Sequence, residues 1–129
     1  MEYNTITDMN YKDLVNVLRE RGEETLSEAY ATLFETEIDM TDRTDKAAGP
    51  IYVHFQDGEG AIWFYGFYGF KKNGPPSFKG SPTEHVSSDS DLVPASRRLL
   101  NRIFEGVPGL RTKVKMILGL KGFDAGGIW

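Results

Sequence analysis

Residues 110–121 read LRTKVKMILGLK, and the period assigned to them decides the fold. Leu110, Thr112, Val114, Met116, Leu118 and Leu120 alternate with Arg111, Lys113, Lys115, Ile117, Gly119 and Lys121. Alternation of this kind predicts a strand with one buried face and one basic, solvated face. A helix through Leu110, Val114, Ile117 and Lys121 is the less regular alternative. The strand reading adds this segment to a sheet and makes the chain α+β.

Upstream, Val107-Pro108-Gly109 is a turn, and Pro94 to Glu105 precedes it as a helix. Proline suits a first helical turn and Gly106 suits the end. Ala95, Leu99, Leu100 and Ile103 form the apolar stripe, with Arg97, Arg98 and Arg102 outside it. Residues 71–91 (KKNGPPSFKGSPTEHVSSDSD) are rich in Gly, Pro and Ser and show no hydrophobic period. They are expected to form a flexible surface insert.

Before the insert, Ile51 to Gln56 and Ala61 to Tyr68 are rich in β-branched and aromatic residues and flank Asp57-Gly58-Glu59-Gly60. A β-hairpin over 51–68 is the expectation. Its expected register sets Phe55 against Ile62, Val53 against Phe64 and Ile51 against Gly66. The other face pairs His54 with Trp63 and Tyr52 with Tyr65. Phe34, Thr36, Ile38 and Met40 alternate with Glu35, Glu37, Asp39 and Thr41, which predicts a strand with an acidic face. Two helices come first, Tyr11 to Arg21 and Glu24 to Leu33. Tyr11, Leu14, Val15 and Leu18, then Leu26, Ala29, Tyr30 and Leu33, recur at helical spacing. The expected order is α-α-β-β-β-α-β. This describes one α+β domain over 1–129, with an N-terminal helical pair, a mostly antiparallel sheet of three to four strands, and a helix near 94–105.

Charge is distributed unevenly. Residues 1–70 hold 14 of the 19 acidic residues against 5 of the 15 basic ones, a net charge of −9. Residues 71–129 hold 5 acidic and 10 basic residues, a net charge of +5. The formal total of −4 conceals this polarity. It points to a partner met through a charged surface, or to pairing of one half with the other. Cysteine is absent, which excludes disulfides, thiolate metal sites and cysteine nucleophiles. The first residues carry Glu2 and Asp8 with no apolar run, and no stretch approaches a membrane span. A cytoplasmic location with no membrane partner is expected.

Catalysis has no signature here. Of two histidines, His85 lies in the insert and His54 on a strand, and no nucleophile stands at a recognisable spacing. No HExxH, GxxxxGKS, GxGxxG or GxSxG motif is present. No metal site or cofactor is implied, and the chain is not expected to be an enzyme.

Three features suit binding. Tyr52, His54, Trp63 and Tyr65 form an aromatic hairpin face that could anchor a partner, or be covered by a second layer. Glu35, Glu37 and Asp39 form an acidic edge. Arg97, Arg98, Arg102, Arg111, Lys113 and Lys115 form a basic set suited to phosphates, unless the glutamates of the second helix pair with it. The expectation is a small non-enzymatic interaction protein that binds a protein partner through aromatic anchors and charged rims; a phage-type inhibitor of host machinery is one class that fits. The alternatives are a nucleic-acid-binding module using the basic half, and a self-assembling structural component in which acidic and basic halves of successive copies meet.

Overall fold

The computed structural model describes residues 11–40, 43–45, 52–56, 59–63 and 83–124. Four helices dominate them: α1 (Tyr11–Glu20), α2 (Glu24–Glu35), α3 (Leu92–Gly106) and α4 (Leu110–Leu120). The strands are short: β1 (Ile38–Met40), β2 (Arg43–Asp45), β3 (Tyr52–Gln56), β4 (Glu59–Trp63) and β5 (Thr83–Val86). A short 3-10 turn, Asp89–Asp91, leads into α3. Among the described residues, every buried apolar side chain except Ile38, Ile62, Val86 and Val107 sits on a helix.

The α+β expectation, with helices packed on a central sheet, is therefore corrected to a predominantly helical architecture. The decisive segment is 110–121, which is helix from Leu110 to Leu120 and not strand. Leu110, Val114 and Leu118 are fully buried, and they lie four residues apart. A strand would have buried Met116 and Leu120 beside them, but these are 57% and 85% exposed. Apolar residues on the solvent side of a helix filled in the alternate positions and imitated period two. The helix ends where Gly122 takes φ 90°. There the Gly122 amide donates to the Gly119 carbonyl at 3.0 Å and the Phe123 amide to the Leu118 carbonyl at 2.9 Å. This is a Schellman termination, with half-buried Phe123 as its apolar partner. The same arrangement closes α1, where Gly22 has φ 81° and the Glu23 amide donates to the Leu18 carbonyl at 2.9 Å.

Phe34 to Thr41 is also corrected. Helix α2 runs on through Phe34 to Glu35, and strand begins only at Ile38. The reason is packing: Phe34 stacks on Tyr11 of α1, with ring centroids 4.9 Å apart and planes 3° from parallel. Phe34 therefore belongs to the helical face that also carries Leu26, Tyr30 and Leu33, and these are buried. Full burial of one such side chain stabilises by about 1.5–3 kcal/mol, more than the weak local preference for a strand.

The strands form two separate antiparallel ladders, β1–β2 and β3–β4–β5, instead of one platform. Within the second, the hairpin register differs from the expected one by two residues. Tyr52 pairs with Trp63, Val53 with Ile62, His54 with Ala61 and Gln56 with Glu59. Only Asp57 and Gly58 separate the paired ends, and Asp-Gly is the dipeptide that two-residue hairpin loops prefer. The expected partners Phe64, Tyr65 and Gly66 lie outside the described residues. The insert 71–91 is corrected in part, because it contains β5 and the 3-10 turn. Residues 71–82 of it lie outside the described residues.

Candidate functional site

The basic residues of α3 sit on its outer side because Ala95, Leu99, Leu100 and Ile103 take the inner one. Arg98 and Arg102, one turn apart, converge on a single carboxylate. Arg98 Nε donates to Glu84 Oε1 at 2.8 Å, and Arg102 Nε meets Glu84 Oε2 at 3.0 Å. Their remaining nitrogens grip the strand itself. Arg98 donates to the His85 carbonyl at 3.1 Å and Arg102 to the Thr83 carbonyl at 2.8 Å. Arg98 also reaches Asp91 Oδ2 at 3.2 Å. The Asp91 carboxyl is held below its usual range by the Ser87 backbone N–H, reinforced by Arg98. Arg98 is in turn held more firmly protonated by hydrogen bonds to Glu84 and Asp91.

The other basic candidates divide. Arg97 is ion-paired with Glu23. Arg111 donates to Asn101 Oδ1 at 3.0 Å, and its guanidinium carbon lies 5.6 Å from the Phe104 ring centroid. This cation–π contact joins α4 to α3. Lys121, which was not among the candidates, pairs with Glu28 at 3.1 Å. Lys113 is exposed on α4, and Lys115 is half-buried. The structure thus does not assemble Arg97, Arg98, Arg102, Arg111, Lys113 and Lys115 into one open basic surface. The arginines that look available in sequence mostly tie elements of the fold together.

The acidic candidates behave differently. Glu35 ends α2, Glu37 lies in the link, and Asp39 is the middle residue of β1. All three are exposed, and none has an ion-pair partner among the described residues. The buried side chain of Ile38 fixes the link between Glu37 and Asp39 to the core.

Tyr52, His54 and Trp63 share one face of the ladder by register, together with Thr83 and His85 of β5. Val53, Ile62, Glu84 and Val86 share the other, and Ile62 and Val86 are fully buried there. His85 is exposed. Tyr65 lies outside the described residues. Sequence reasoning missed His85 as a neighbour of the aromatic face, because no hydrophobic period marked β5.

A cleft of about 420 Å³ opens at the turn between α1 and α2, lined by Arg19, Gly22, Glu23, Glu24, Thr25, Leu26 and Arg97. The Glu23–Arg97 pair occupies much of its charged lining. The hydroxyls of Ser27, Tyr30 and Ser96 donate to backbone carbonyls, which is structural use. Among the described residues, no group of three or more His, Asp or Glu side chains is placed to hold a metal ion. No helix among them is long and apolar enough to cross a membrane. No family model, no curated protein and no solved structure matches this chain.

Proposed function

We propose that this chain is a non-enzymatic protein-interaction module that presents its acidic edge, Glu35, Glu37 and Asp39, to a basic surface on a partner protein. One observation carries the reading. These carboxylates remain exposed and outside the ion pairs that engage Glu23, Glu28, Glu84 and Asp91. Charges left in solvent in this way steer association and suppress wrong partners more than they stabilise a fold. The aromatic ladder face, with Tyr52, His54 and Trp63 in one register, supplies the residue types that anchor interfaces. Nucleic-acid binding is the weaker reading, because Arg98 and Arg102 would have to give up Glu84 and two backbone carbonyls to take a phosphate.

The test is affinity capture of a partner with the wild-type chain and with Glu35→Lys/Glu37→Lys/Asp39→Lys. Wild type should retain a partner that added salt releases. Three rim charges at about 0.5–1 kcal/mol each predict at least about a tenfold loss for the triple variant. Equal retention by both proteins overturns the acidic-edge reading. Retardation of oligonucleotides at low salt would favour the basic set instead.

A further inference from the structure

We propose that the exposed face of α4 docks on the Glu35–Asp39 edge of a second copy of this chain. The inference rests on the acidic-edge reading and names its partner. Helix α4 turns Leu110, Val114 and Leu118 inward and leaves Met116 and Leu120, one turn apart, 57% and 85% exposed. Lys113 lies on the same exposed side. No carboxylate occurs anywhere from Gly106 to Phe123.

Two exposed apolar side chains beside the exposed Lys113 suit an acidic occupant, and the chain carries one at its other charge pole. Among the described residues, several charges of the two poles already meet within the molecule. Arg97 takes Glu23, Arg98 and Arg102 take Glu84, and Lys121 takes Glu28. The carboxylates at 35, 37 and 39 and the Lys113 ammonium are exposed, complementary in charge and outside those pairs. In the contact, Met116 and Leu120 leave water while Lys113 sets the register against the carboxylates. Two different patches meet, so the contact is heterologous and either closes a ring or grows head to tail.

Light-scattering mass tests this at high protein concentration and two salt concentrations. Wild type should exceed the monomer mass at low salt and return to it at high salt. Glu35→Lys/Glu37→Lys/Asp39→Lys and, separately, Lys113→Glu/Met116→Gln/Leu120→Gln should each be monomeric. All six positions except Asp39 and Glu37 lie on helices and all are exposed, so circular dichroism should show both variants folded. An equimolar mixture should regain a dimer and nothing larger, because each variant keeps the one face that the other lacks. A monomeric wild type at low salt, an oligomer unaffected by either variant, or a mixture that stays monomeric overturns the proposal. A monomeric wild type whose captured partner still depends on Glu35, Glu37 and Asp39 would end this inference and leave the acidic-edge reading standing.

Discussion

The Tyr30 hydroxyl donates to the Ser96 backbone carbonyl at 2.6 Å, joining α2 to α3 across 66 positions of sequence. Tyr30 is fully buried, so the bond is made out of water. Tyr30→Phe keeps the ring and removes the donor, and should cost about 1–2 kcal/mol in urea denaturation at neutral pH. Burial, and secondarily the Glu84 charge, push the phenol well above its ordinary value of 10.0. The fold thus favours the neutral form. Its contribution is intact below the ordinary value and is lost as pH rises through it towards the folded one. Wild type should lose stability with alkali more steeply than Tyr30→Phe; parallel curves would contradict this.

Glu84 is shared by two arginines, so Glu84→Gln removes both ion pairs at once. The arginines are about half exposed, which limits the loss to about 1 kcal/mol. Asp91, the other carboxylate on Arg98, has its affinity for protons lowered. Its stabilising contribution exists above the ordinary carboxylate value and disappears as pH falls through the folded one. Asp91→Asn should therefore flatten the acid side of the stability profile. An unchanged acid limb would show that Asp91 gives no support.

The strand reading of residues 110–121 forecasts similar losses at two leucines, and the helix forecasts unequal ones. Leu118 is fully buried and Leu120 is 85% exposed. Leu118→Ala should cost about 2–5 kcal/mol, whereas Leu120→Ala should stay within about 0.5 kcal/mol. A pair of thermal denaturation curves separates them; similar losses at both sites would restore the strand.

Two glycines near the end of α4 should respond with opposite signs to the same substitution. A methyl group at Gly119 or Gly122 meets nothing within 4 Å, so backbone conformation alone decides. Gly122→Ala forces alanine to φ 90° and should destabilise by about 1–2 kcal/mol. Gly119→Ala, within the helix, should stabilise by about 0.5–1 kcal/mol. Melting temperatures moving in the same direction would show that Gly122 does not terminate the helix.

How far the fold was legible depended on whether one period fitted a segment alone. Leu14, Val15 and Leu18 match a single helical face, and the structure buries them together. In α4, Met116 and Leu120 on the solvent side made the same residues fit two periods. The discriminating signal was present in Leu118, Gly122 and Phe123, the spacing of a Schellman end. Phe34 read as strand because its reason for being helical, the Tyr11 ring, lies far away in sequence. The acidic run at 35–39 was visible as composition. That it has no ion pair among the described residues was not, since that depends on which basic residues the fold brings near. Glu84 was invisible for the same reason: its role exists only once α3 sets Arg98 and Arg102 against β5.

The connections between helices also bear on how the chain can vary. Helices α1 and α2 are joined by residues 21–23, and α3 and α4 by residues 107–109. The helical core therefore needs only one long return, from Glu35 to Leu92, and both ladders lie within that return. Loop-closure entropy grows only with the logarithm of length, about 0.6 kcal/mol for each doubling. The helices can thus accept additions between the ladders at small thermodynamic cost, so relatives of different length would differ there while Ile38, Ile62 and Val86 stay in the core.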